Sequence, residues 1–75
     1  MTFDRITFDP EITGGRARIR GTRVTVSNIV SQIADGATAQ EILADYTYLE
    51  AEDIPQALEY AAWRSEEIEL PLARP

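Results

Sequence analysis

Five alternating residues, Arg16-Ala17-Arg18-Ile19-Arg20, stand directly before a glycine turn and a helical repeat. Alternation with period two places Arg16, Arg18 and Arg20 on one face of a strand and Ala17 and Ile19 on the other. Gly21–Thr22 turns the chain, and Val24 returns it toward a core. Upstream, Phe3, Ile6 and Phe8 mix with polar residues as a second short strand, with Asp9–Pro10 and Gly14–Gly15 as turn signals. The expectation is a hairpin with its apolar face inward and an arginine row outward.

Beyond the hairpin the pattern turns helical. Val26, Ile29, Val30, Ile33 and Ala34 fall at the i, i+3, i+4, i+7, i+8 positions of one helix face. Thr25 is placed to cap that helix and Gly36 to stop it. Thr38-Ala39-Gln40-Glu41 is a capping box opening a second, short helix that buries Ile42 and Leu43, with Tyr46 near its end. A turn over Thr47 to Glu50 is expected, with Leu49 pointing inward. A third helix over about Ala51 to Glu66 buries Ile54, Ala57, Leu58, Ala61 and Ala62. Pro55 complicates its start, because proline is comfortable only in a first turn. Either the regular helix begins near Asp53, which then caps it, or the first turn is distorted. The predicted fold is mainly α with a short N-terminal β-hairpin (α+β). It comprises a hairpin arm over 1–24, a trihelical helix-turn-helix-like bundle over 25–66 and an extended tail over 67–75, all in one domain.

Size sets limits on stability and chemistry. A chain of 75 residues has a core worth only about 3–5 kcal/mol, and such domains gain support from disulfides, metals or association. With neither cysteine nor histidine, disulfides, thiolate sites and the commonest zinc ligand are excluded. Association remains, and a homodimer or an obligate partner is expected. No apolar run approaches the roughly 18 residues of a membrane span, and no signal-peptide pattern opens the chain, so a cytoplasmic location is expected.

Catalysis is not expected. Ser27, Ser31 and Ser65 have no histidine base, lysine is absent, and no phosphate-cradling Gly-x-x-x-x-Gly-Lys loop occurs. Glu41 and Asp45, four apart on one helix, could share a metal, but read better as solvated surface acids. No cofactor is expected.

Charge is unevenly placed. The net charge is −6, yet residues 1–23 carry five arginines against three acids, and residues 24–75 carry two against ten. Four arginines fall within eight residues: Arg16, Arg18, Arg20 and Arg23. With Thr22 they form the candidate contact set for DNA phosphates or for an acidic partner protein, whose carboxylates a guanidinium matches bidentately. The plainer alternative is pairing with this chain's own acids, Arg23 with Asp35 or Asp45 among them. Gly21-Thr22-Arg23 reads either as a ligand-contacting loop or as a turn that needs glycine and a hydroxyl. Glu50, Glu52 and Asp53 open the third helix, which argues against a major-groove reader, since carboxylates repel phosphates. A candidate partner or dimer surface comprises Tyr60, Trp63, Ile68, Leu70 and Leu72, the plainer alternative being that the two aromatics cap the core.

The phrase Gly15–Val26 resembles the signature G-x-P-x-I-x-G-T-R-[IV]-x-V of the prokaryotic domain of unknown function 433 family. Gly36–Leu49 and Ala57–Ala61 are similar to that family's later segments, so the resemblance spans residues 6–62. Ala17 and Thr47 stand where prolines are usual, and Glu50 where a capping threonine is common. The family is similar to homeodomain-like helix-turn-helix proteins. The resemblance implies an antitoxin that neutralises a PIN-like ribonuclease toxin, with repression of its own operon as a dimer for a second role. The alternative is a stand-alone DNA-binding regulator with no toxin partner.

Overall fold

The computed structural model describes residues 3–9, 11 and 16–67. A two-stranded antiparallel hairpin, β1 (Ile6–Thr7) and β2 (Arg18–Ile19), precedes three helices: α1 (Val26–Ala34), α2 (Ala39–Asp45) and α3 (Asp53–Glu67). Ile6 lies opposite Ile19 and Thr7 opposite Arg18. The Arg20 amide extends the pairing by donating to the Arg5 carbonyl at 2.8 Å. On its other side, β2 pairs with the run into α1. Ile19 N–H donates to Val24 at 2.9 Å, and Val26 N–H donates to Ala17 at 2.9 Å. The strand therefore sits between two neighbours, which seats the arm against the helices.

Local chemistry fixes each helix end. Thr25 caps α1 by accepting from the Asn28 amide at 3.1 Å. Gly36 ends it at φ +100°, a conformation that a side chain would strain. Gly36 N–H reaches Ile33 and Ala37 N–H reaches Gln32, the paired bonds of a Schellman stop. At α2 the capping box is complete: Glu41 N–H donates to Thr38 Oγ1 at 3.1 Å, and Thr38 N–H to Glu41 Oε1 at 2.8 Å. Thr38→Ala should lower stability by about 1 kcal/mol in urea unfolding. An unchanged midpoint would show the box to be dispensable.

Several expectations are corrected. The α2–α3 connection is not the four-residue turn Thr47–Glu50 but runs from Tyr46 to Glu52. Of the two alternatives for the third helix, the start at Asp53 holds rather than Ala51 with a distorted turn, which keeps Pro55 in the first turn, where its missing N–H costs nothing. Ala34 and Ala62, expected inside, are exposed.

The core joins Ile19 and Val24 of the arm to Val26, Ile29, Ile42, Leu49, Ile54, Ala57 and Tyr60. The main helix contact is α1 on α3. Phe3 packs on it from the arm, edge-on to Tyr60 with ring centroids 5.3 Å apart.

Candidate functional site

The arginines divide by environment. Arg18, expected in an outward row, is instead buried at 7 % exposure, with its head group turned back to the loop. Its Nη1 donates to the Thr22 carbonyl at 3.0 Å, and its Nη2 lies 3.9 Å from Asp9. Arg16, Arg20 and Arg23 are exposed. No ion pair among the described residues joins Arg23 to Asp35 or Asp45.

Among the described residues, Arg5, which sequence patterning did not single out, pairs with the acidic half. Its guanidinium reaches Glu50 at 2.7 Å, Glu52 at 2.9 Å and Asp53 at 3.0 Å. Glu50 first, then Asp53, holds it protonated more firmly than usual. Its backbone amide donates to Gln56 Oε1, whose Nε2 donates to Asp4. That last bond, foremost, holds the Asp4 carboxyl below its ordinary range. Asp53 also accepts from the Glu50 amide at 2.8 Å. The α3 N-terminus is thereby closed by the arm and its own carboxylates.

Of the two readings of Gly21–Arg23, the geometry shows the turn that needs glycine and a hydroxyl. Gly21 adopts φ +76°, and Thr22 Oγ1 donates to the Ile19 carbonyl and accepts from the Val24 amide. Those two residues build the turn. Arg23 projects from it. Arg18, Gly21, Thr22 and Arg23 line an open cleft together with Tyr48, which is 61 % exposed. No spacing rule links Tyr48 to a turn 25 residues earlier; only the fold brings them together.

A second, apolar cleft is lined by Phe8, Ala17, Val26, Val30, Tyr60 and Ala61, with Arg16 and Arg64 among its walls. Tyr60, expected on a partner surface, is 8 % exposed and belongs to the core, where Phe3, Phe8 and Trp63 surround it. Trp63 at 37 % and the more open Phe8 are the exposed aromatics packed on Tyr60. Ile68, Leu70 and Leu72 lie outside the described residues.

Glu41, weighed as a metal ligand with Asp45, spends its carboxylate on the α2 cap. No cluster of three or more potential metal-ligating residues occurs among the described residues. None of the described helices is long and apolar enough to cross a membrane.

The model of the family described as "Protein of unknown function (DUF433)" matches residues 6–61. The chain belongs to the DUF433 family. It is 38% identical over 56 residues to the uncharacterized protein y4eO of Sinorhizobium fredii (strain NBRC 101917 / NGR234), covering 75% of this chain and 25% of that protein. The DUF433 chain thus spans about a quarter of that curated relative. The crystal structure of a DUF433 member from Anabaena variabilis ATCC 29413 superposes with a TM-score of 0.80 at 39% identity, covering 85% of this chain and 63% of that one. The hairpin-plus-three-helix architecture is therefore shared with a solved family member.

Proposed function

We propose that this DUF433 chain is a non-catalytic binding module, the antitoxin of a toxin–antitoxin pair, neutralising a PIN-like ribonuclease in the cytoplasm. The observation that carries the binding reading is the division among the arginines. Arg5 secures the fold, whereas Arg20 and Arg23 stand in solvent, Arg23 beside an exposed tyrosine. A guanidinium matches the carboxylates of a nuclease's acidic site in a two-pronged geometry. Family resemblance supplies the identity of the toxin. Phe8 and Trp63 provide a second contact surface, for the toxin or for a second copy in a homodimer, and Ile68, Leu70 and Leu72 are further candidate contacts read from the sequence.

Repression of its own operon is a further part of the proposal, with the exposed arginines on phosphates. The closed acidic start of α3 weighs against that helix reading bases, because a recognition helix must offer its N-terminal residues to the groove. The fold itself does not decide between these uses.

The test is co-expression of the tagged chain with the product of its adjacent reading frame, followed by a ribonuclease assay of the complex. The expected result is a stable complex with the nuclease silenced, lost on deletion of residues 67–75. Capture that survives the deletion would remove the tail from the interface. No capture, with salt-sensitive promoter binding that Arg20→Ala and Arg23→Ala abolish, would replace the antitoxin by a DNA-binding regulator.

A further inference from the structure

We infer that the cleft between the Gly21–Arg23 turn and Tyr48 is a receptor for a single carboxylate, presented by an aspartate or glutamate side chain of a partner protein. The inference rests on the partner-binding reading for the owner of the carboxylate, and on geometry alone for the site.

Two arginines, Arg18 and Arg23, line the cleft, and among the described residues one carboxylate, Asp9, pairs with them. Arg18 is more than nine-tenths buried, yet its Nε has no hydrogen-bond partner among the described residues. Its nearest carboxylate, Asp9, is 3.9 Å away, beyond hydrogen-bonding length. Asp9 offsets the Arg18 charge without a hydrogen bond, and the Nε–H stays unsatisfied. Arg23 adds a second, exposed cation that no ion pair among the described residues neutralises. Tyr48 supplies a hydroxyl donor and an open ring face, and Tyr46 packs edge-on against that ring with centroids 6.2 Å apart.

The charge balance selects the ligand. Two arginines against Asp9 leave one uncompensated positive charge, which a monoanionic carboxylate cancels. A phosphate dianion would overshoot it, and a nucleic acid would also meet the −6 charge of the chain. Arg18 Nε is shut from solvent, so Arg18 acts through its charge. The direct contacts fall to the Arg23 guanidinium and the Tyr48 hydroxyl.

The experiment is a two-dimensional amide NMR titration of the full chain with N-acetyl-aspartate N-methylamide at constant ionic strength. Inorganic phosphate and oligothymidylate serve as parallel arms. The amide should give saturable shifts centred on Gly21, Thr22 and Arg23. Arg23→Ala should weaken its binding about tenfold without changing the thermal melt. Tyr48→Phe should weaken it by a smaller factor. Three results would each overturn the inference: shifts that never saturate and spread over every arginine, saturation by phosphate or oligothymidylate alone, or unchanged binding by the Arg23→Ala chain. A chain that captures no nuclease yet saturates with the amide would keep the site and remove only the nuclease as its owner.

Discussion

Ile29→Ala should strip the chain of most of its stability in water. Ile29 lies in α1, the helix on which α3 packs, and is wholly enclosed by the core. Truncating such an isoleucine costs about 2–5 kcal/mol in lost burial and residual cavity. The core of a domain this size supplies only about 3–5 kcal/mol, and no disulfide supports it. The substitution therefore removes most of the stability at one stroke. Far-UV circular dichroism with urea unfolding measures it directly. A cooperative transition shifted by less than about 1 kcal/mol would mean that the helices close around the gap or that association carries the fold.

Asp53→Ala should be the most damaging change among the carboxylates, at about 2–3 kcal/mol. Asp53 is 4 % exposed and binds both the Arg5 guanidinium and the Glu50 amide. Its loss strands a part-buried amide and weakens the tie between the arm and α3 together. Glu52→Ala is the matched control. Glu52 also meets Arg5, but from solvent, and such exposed pairs contribute about 0–1 kcal/mol. Urea midpoints of the two variants should separate clearly. Equal midpoints would show the Arg5 cluster to be surface decoration rather than the clasp between arm and bundle.

Much of this fold was legible in local sequence because its signals are local. The Thr25 cap, the Thr38–Glu41 box and the Gly36 stop are each written within a few neighbouring residues, and each forms as its chemistry requires. The hairpin followed from alternation, but the side of it facing solvent did not. Alternation puts Arg18 in an outward row but cannot show that its head group turns to the Thr22 carbonyl and is buried there. Tyr60 was misplaced for a related reason. Its burial depends on Phe3, which arrives from 57 residues away. The Arg5 clasp and the approach of Tyr48 to the turn are likewise products of tertiary folding. Nothing in the spacing of those residues announces them.

The same distinction sorts the candidate contact residues. Thr22 and Arg18 are committed to the turn they build, so changing them tests folding before it tests binding. Arg20 and Arg23 are exposed and carry no ion pair among the described residues, so changing them tests contact.

The most direct measurement is partner capture by the full chain carrying Arg20→Glu and Arg23→Glu together, set beside its thermal melt. The arginine turn as contact surface predicts an unchanged melt with capture of the co-expressed partner lost. Undiminished capture by this charge-reversed chain would contradict it and move the interface to the aromatic face around Phe8 and Trp63.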